Sequence, residues 1–287
     1  MRLTAEWVEF RTGEAACNAY RVAPDPAGMP TAGATRLPAI VLVQEIWGVD
    51  EHIQDLAERL AGAGYLVLAP DLYSLGGARP AALQAPRVAA VKAFLDTIPP
   101  SSWWDEAART EALSAMPADE GGPLAATFAA LFAPRDRQGL VAVLRDAVRH
   151  LLADPECTGR VGSAGFCMGG GLSAQLACAE PELAAAVIFY GASPTPADLA
   201  GLGCPVLGFY GGEDPRITAT VPELAAAMEA AGKQYEWHVY DGAPHAFFND
   251  SRRSYHADAA RDAWARLLGF FAAHLAEVPR EDGRTGE

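Results

Sequence analysis

Six short, almost unbroken apolar runs punctuate this chain and constrain its fold more than any other feature. They are "PAIVLVQE" (38–45), "GYLVLAP" (64–70), "GRVGSAGFC" (159–167), "LAAAVIFYG" (183–191), "CPVLGFYGG" (204–212) and "YEWHVYDG" (235–242). Runs of this length without polar alternation suit strands covered on both faces, the condition of a parallel sheet. Amphipathic stretches stand between them. "VDEHIQDLAERLAGAG" carries Ile53, Leu56, Ala57 and Leu60 on one face and ends on a glycine suited to a cap. "GLVAVLRDAVRHLLAD" does the same with Leu140, Leu144, Val148 and Leu151, and "TVPELAAAMEAAG" and "HADAARDAWARLLGFFAAHL" behave alike. Strand–helix alternation with right-handed crossovers predicts an α/β fold, a mostly parallel central sheet with helices on both faces.

Two segments depart from the alternation. At the amino terminus, "TAEWVEFRTGEAACNAYRV" alternates apolar and polar residues around Thr12-Gly13 and predicts a β-hairpin, followed by a Pro/Gly/Ala-rich loop over 23–37. More than sixty residues separate "APDLY" (69–73) from the helix starting near Gln138, far more than a single crossover needs. Within them, "PPSSWWDEAARTEALSAMPADEGGPLAATFAALF" is read as a helical insertion over about 98–135. It either caps the site or runs over solvent away from it. Residues 1–276 are expected to form one domain, and the charged tail 277–287 to be frayed.

Composition excludes several classes. Of 287 residues 51% are hydrophobic, enough for a full core, and the net charge of −14 with no Lys/Arg cluster argues against nucleic acid. Residues 161–179 carry no charge, but five glycines and a turn signal divide that run into a buried strand and a buried helix rather than a membrane span. Met1-Arg2-Leu3-Thr4-Ala5-Glu6 has no apolar leader core, and five cysteines without tight spacing suit reduced thiols, so a cytoplasmic protein is expected.

In an open α/β sheet the site lies beyond the carboxyl ends of the strands. There stands Gly165-Phe166-Cys167-Met168-Gly169, the G-x-S-x-G form of a nucleophile elbow with cysteine in place of serine. The turn would expose Cys167 above the sheet near a helix N-terminus, which favours a thiolate, and would aim the Met168 N–H at a substrate carbonyl oxygen. The bland alternative is an inert core thiol. A base and its orienter should follow in the order nucleophile, acid, histidine. His245, in the loop "DGAPHAFF" after the last strand, is the expected base. Asp214 is the preferred acid, with Glu213 one residue away. The Ile46 N–H is the expected second oxyanion donor. Glu45 just before it is a costly charge at a strand end unless used or paired.

With these residues assembled, the chain resembles the dienelactone hydrolases (carboxymethylenebutenolidases) of the α/β-hydrolase superfamily. The resemblance spans about 38–271 and rests on "VLVQEIWGV", "LAGAGYLVLAPDLY", "VGSAGFCMGG", "YGGEDP" and "YDGAPHAFFND". It implies an α/β-hydrolase fold, a Cys167–His245–Asp214 triad, oxyanion donors at Ile46 and Met168, and a Glu45 that helps switch the thiol to its ionised form when substrate binds. It further implies hydrolysis of an enol-type lactone or activated ester through an acyl-thioester, without metal or organic cofactor. The partner is then a small lactone or ester, with no nucleic acid or membrane, and the chain a monomer or homodimer. Founding members hold the substrate carboxylate with an arginine four residues after the histidine, where this chain has Asn249. Arg252 and Arg253 are near enough to substitute, or else are exposed surface residues. Trp47, Asn249, Arg252, Trp103 and Trp104 are the candidate substrate contacts, the last two either lining a lid or packing inside the insertion. The rival readings are a broader esterase or thioesterase on the same residues, and a non-catalytic redox-sensing or binding protein that uses Cys167.

Overall fold

All six apolar runs are strands of one sheet in the computed structural model, which describes residues 2–25, 36–99, 103 and 105–276. Trp104 and the tail 277–287 lie outside the described residues. The amino-terminal hairpin is β1 (Leu3–Thr12) and β2 (Ala15–Pro24), turned at Gly13 with φ +56°. The remaining strands are β3 (Leu37–Val43), β4 (Leu66–Pro70), β5 (Cys157–Phe166), β6 (Leu183–Phe189), β7 (Val206–Gly211) and β8 (Tyr235–Tyr240). Their order is β1-β2-β4-β3-β5-β6-β7-β8, parallel from β4 to β8, with the hairpin added antiparallel to the β4 edge.

The helices are α1 (Glu51–Gly62), α2 (Ala85–Leu95), α3 (Glu106–Ser114), α4 (Ala118–Phe132), α5 (Arg137–Ala153), α6 (Met168–Ala179), α7 (Pro215–Thr218), α8 (Val221–Ala230) and α9 (Ala257–His274). Two apolar layers explain why β3 to β7 are apolar throughout, whereas β8, at the sheet edge, is only partly covered and carries Glu236 and His238. Ile40, Leu42, Val187 and Phe189 point to α1 and α9, whereas Val41, Val43, Ala186 and Ile188 point to α5, α6 and α8. Successive side chains leave a strand on opposite faces, so burial on both sides removes polar alternation. The uncharged run 161–179 divides as its glycines predict, into the end of β5, a sharp turn and α6. No helix among the described residues is long and apolar enough to cross a membrane.

The insertion begins earlier than the sequence suggests. The helix α2 at 85–95 has no clear amphipathic pattern, because alanines fill the positions between its buried Val88, Val91, Phe94 and Leu95. It gains its core from tertiary contact. Arg87 ties it to α4 through the Pro123 carbonyl (2.7 Å) and the Thr127 hydroxyl (3.1 Å). These α2 residues pack with Phe128 and Leu131 of α4, and with Trp47 and Tyr73 from the loops after β3 and β4. The insertion therefore sits over the carboxyl ends of β3 and β4 rather than away in solvent.

Candidate active site

Loops at the ends of five strands, β3 and β5 to β8, meet above the sheet. The sharpest is the turn from β5 to α6, where Cys167 adopts φ +54°, ψ −113° as the N-cap residue of the helix. Only glycines fit beside it: a Cβ on Gly165 would overlap the Gly169 carbonyl, and one on Gly169 would overlap the Val43 and Gln44 carbonyls of the neighbouring strand. The left-handed backbone at a non-glycine costs about 1–3 kcal/mol and persists where the surroundings enforce it. Here the Cys167 N–H donates to the Phe189 carbonyl at 3.0 Å, and the Cys167 carbonyl accepts from Gly170 and Gly171.

The other cysteines behave as core thiols. Burial pushes Cys17 and Cys178 up to about 11 and Cys204 to about 12, and raises Cys157, which keeps all four protonated. Cys167 alone among the five bonds to an imidazole: its Sγ lies 3.1 Å from His245 Nε2. His245 Nδ1 in turn lies 2.5 Å from Asp214 Oδ2. Asp214 is buried just past β7, whereas Glu213 is exposed and makes no such contact. Burial by itself would lower the imidazole. The charge on Cys167 and the hydrogen bonds to Asp214 and Cys167 outweigh it and push His245 up to about 10. A row of this geometry favours the protonated imidazole between its two partners.

Glu45 is 2% exposed, lines the same cavity as Cys167 and His245, and makes its hydrogen bonds to other partners than the sulfur. Its Oε1 accepts from the Tyr190 hydroxyl (3.2 Å) and its Oε2 from Asn249 Nδ2 (2.8 Å), so the buried carboxylate is satisfied by two neutral donors. Tyr190 closes the β6 end of the site: it is fully buried, its ring meets His245 edge-on at 5.1 Å, and burial, then the Glu45 charge, hold its phenol well above the usual range. Among the described residues, the non-glycine positions with positive φ are Cys167, Tyr190 and Ala246, all three at this site. Backbone strain is thus concentrated where the chemistry-bearing side chains meet.

A narrow cavity of about 80 Å³ reaches Cys167, His245 and Glu45 and is walled by Ile46, Trp47, Leu95, Trp103, Phe128, Phe132 and Arg252. A larger one, about 460 Å³, opens on the other side of Cys167 between Met168, Phe132, Arg135 and Arg137. The insertion supplies walls to both. Trp103 Nε1 donates to the Leu95 carbonyl at 3.0 Å, which fixes its ring at the cavity rim. Asn249 does not line either cavity. It is fully buried, donates to Glu45 and accepts from the Ser251 N–H and hydroxyl, so its polar atoms face inward. Nor is Arg252 a surface residue. Its guanidinium lies between the Trp47 and Trp103 rings (5.5 and 5.3 Å) and 3.2 Å from Asp96, while Arg253 is the exposed one. A cation between aromatic faces with a carboxylate at one end explains the burial.

The Ile46 and Met168 N–H groups both border Cys167, and neither has a hydrogen-bond partner among the described residues. Amides without a protein partner are free to donate to a bound group. Sequence reasoning missed Tyr190 and Tyr73, although both end apolar runs, where a polar group signals a site at the strand termini. It also missed Phe128 and Phe132, whose helix is recognisable but whose docking is not.

An eight-stranded, mostly parallel sheet with a strained cysteine-bearing turn after β5 and an acid–imidazole pair at the ends of β7 and β8 defines an α/β-hydrolase. The chain belongs to the dienelactone hydrolase family: the family model described as "Dienelactone hydrolase family" matches residues 26–275. It is 36% identical over 234 residues to a "Putative carboxymethylenebutenolidase" of Saccharolobus solfataricus, covering 81% of this chain and 88% of that one. A protein of the same description from Escherichia coli K12 is 34% identical, with 82% and 76% covered. The crystal structure of a "Putative Dienelactone Hydrolase" from Klebsiella pneumoniae subsp. pneumoniae MGH 78578 superposes with a TM-score of 0.67 at 30% identity, covering 95% of this chain and 99% of that one.

Proposed function

We propose that this hydrolase opens enol-type lactones or cleaves activated carboxylic esters through a Cys167–His245–Asp214 triad. The observation that carries the reading is the continuous Sγ–Nε2 and Nδ1–Oδ2 row, 3.1 and 2.5 Å, on a turn whose strain presents the sulfur to a cavity. Asp214 orients the ring and supports the imidazolium. The thiolate attacks the acyl carbon, and the oxyanion is received by the Ile46 and Met168 N–H groups. The C–O bond then breaks as His245 Nε2 returns its proton to the leaving oxygen, giving an acyl-thioester. In a lactone the enol product stays attached to the acyl group. His245 next takes a proton from water, hydroxide adds to the thioester, and C–S cleavage restores the thiolate.

Sulfur sets the substrate class. A thiolate is a better leaving group than an alkoxide, so with an ordinary alkyl ester the tetrahedral adduct expels sulfur again. An enolate or phenolate leaves ahead of it. Glu45, held by Tyr190 and Asn249, does not compete with His245 for the Cys167 sulfur. A broader esterase range is favoured by one feature, the aromatic walls Trp47, Trp103, Phe128 and Phe132 around the narrow cavity, which suit uncharged apolar groups.

The test is trapping. Wild type and His245→Ala are incubated with a dienelactone and, separately, with p-nitrophenyl acetate, quenched, and the Cys167 peptide is read by mass spectrometry. An acyl adduct that accumulates in the variant is the expected result. An alkylatable Cys167 that takes no acyl group from either compound would overturn the mechanism and favour redox sensing.

A further inference from the structure

The loop that carries the Ile46 amide is held from two directions. From within, the Glu45 carbonyl accepts from the Gly48 N–H at 3.3 Å, closing a turn in which Gly48 has φ +86°. Because the Glu45–Ile46 peptide is trans and its carbonyl is engaged in that turn, the Ile46 N–H faces the opposite side. From outside, the next carbonyl along, that of Ile46, accepts from the Tyr73 hydroxyl at 2.6 Å. Tyr73 is 5% exposed, and burial pushes its phenol up to about 12, so it remains a donor throughout the neutral range.

The hydroxyl has a second partner. Arg135, between α4 and α5, donates through Nη2 to the Tyr73 oxygen at 3.3 Å and lies 4.6 Å over the Tyr73 ring. The same nitrogen donates to the Ala130 and Leu131 carbonyls at 3.1 and 2.8 Å, where α4 ends. An unbroken polar chain therefore runs from the last turn of the insertion, through Arg135 and Tyr73, to the backbone bordering Cys167.

We infer that Tyr73 is a positioning residue for the oxyanion-binding amide of Ile46, and that Arg135 links the seating of the insertion to that amide. The inference rests on the proposed acyl-transfer reading, in which the Ile46 N–H receives the oxyanion.

Two reactions of the same sulfur separate this role from simple structural support. Acylation by p-nitrophenyl acetate develops an oxyanion, whereas alkylation by iodoacetamide displaces iodide at a saturated carbon and develops none. Tyr73→Phe keeps the ring beneath Arg135 and removes only the hydroxyl. Its acylation rate is expected to fall about tenfold, the scale of one net hydrogen bond, with KM nearly unchanged and alkylation at the wild-type rate. Arg135→Met should give the same split with a smaller loss. Acylation by Tyr73→Phe at the wild-type rate would overturn the inference, and so would an equal fall in both reactions, which marks general damage to the site. A wild type that is alkylated but never acylated refutes the acyl-transfer reading itself, and the inference with it.

Discussion

Replacing Asn249 with aspartate asks whether the buried Glu45 carboxyl depends on the neutral amide donor of Asn249. The substitution keeps the volume and leaves an oxygen to accept from Ser251, but turns the donor 2.8 Å from Glu45 Oε2 into a second carboxylate. Both groups are buried, Asn249 at 0% and Glu45 at 2% exposure. At an effective dielectric of about 20, unit charges about 3 Å apart repel by about 5 kcal/mol. The pair escapes most of that by binding one proton. For a carboxyl of ordinary pKa about 4, protonation costs about 4 kcal/mol at pH 7 and about 1.4 kcal/mol at pH 5. The shared proton is bound more tightly in the folded chain than in the unfolded one, so the lost stability is recovered as pH falls. With about 2.1 cal/mol/K of unfolding entropy per residue over 287 residues, the midpoint should drop by about 7 °C at pH 7 and about 2 °C at pH 5. Calorimetry of variant and wild type at both pH values measures this. An equal loss at both, or none, would refute the Glu45–Asn249 arrangement.

Asp214→Asn should leave Cys167 in place but remove the charge that orients and supports the imidazolium, lowering turnover of an activated ester by about 10³ or more; activity within tenfold of wild type would dismiss Asp214 as the orienter. Folding stability should also report on His245. Its folded value of about 10 exceeds the ordinary one near 6.5, so the stability it contributes is complete below about pH 6.5 and is lost as pH rises through about 10. The wild-type thermal midpoint should therefore fall more steeply between pH 7 and 10 than that of His245→Gln, and parallel curves would contradict the raised imidazole.

Most of the sheet can be read locally because its cause is local. A strand buried on both faces must be apolar at nearly every position, as β3 to β7 are; all six runs became strands within two residues of their ends, the edge strand β8 being the one only partly buried. The turn at Cys167 is local in part: the Gly169 carbonyl leaves no room for a Cβ on Gly165, whereas it is the distant Val43 and Gln44 carbonyls that leave none on Gly169. The helix α2 was not legible. Its alanines give no contrast between faces, and its burial comes from α4, Trp47 and Tyr73, which lie far away in sequence. The burial of Asn249 and Arg252 was hidden for a related reason. Each is polar in an unremarkable loop, and only its partners, Glu45 for one and Asp96 with two indole rings for the other, explain why it is inside.

By itself the sequence determined the parallel α/β architecture, the strained turn that presents Cys167, and the strand ends on which His245 and Asp214 stand. These depend on residue type and spacing along a few neighbouring positions. Only the tertiary structure decided that Asp214 rather than Glu213 meets the imidazole, that Glu45 is bonded to Tyr190 and Asn249 rather than to the thiol, and that the insertion walls the cavities beside Cys167. Each of those is a choice among side chains whose local signals are alike. It is settled by distance and burial across 30 to 200 intervening residues, separations of |i−j| = 31 for His245–Asp214 and 204 for Asn249–Glu45.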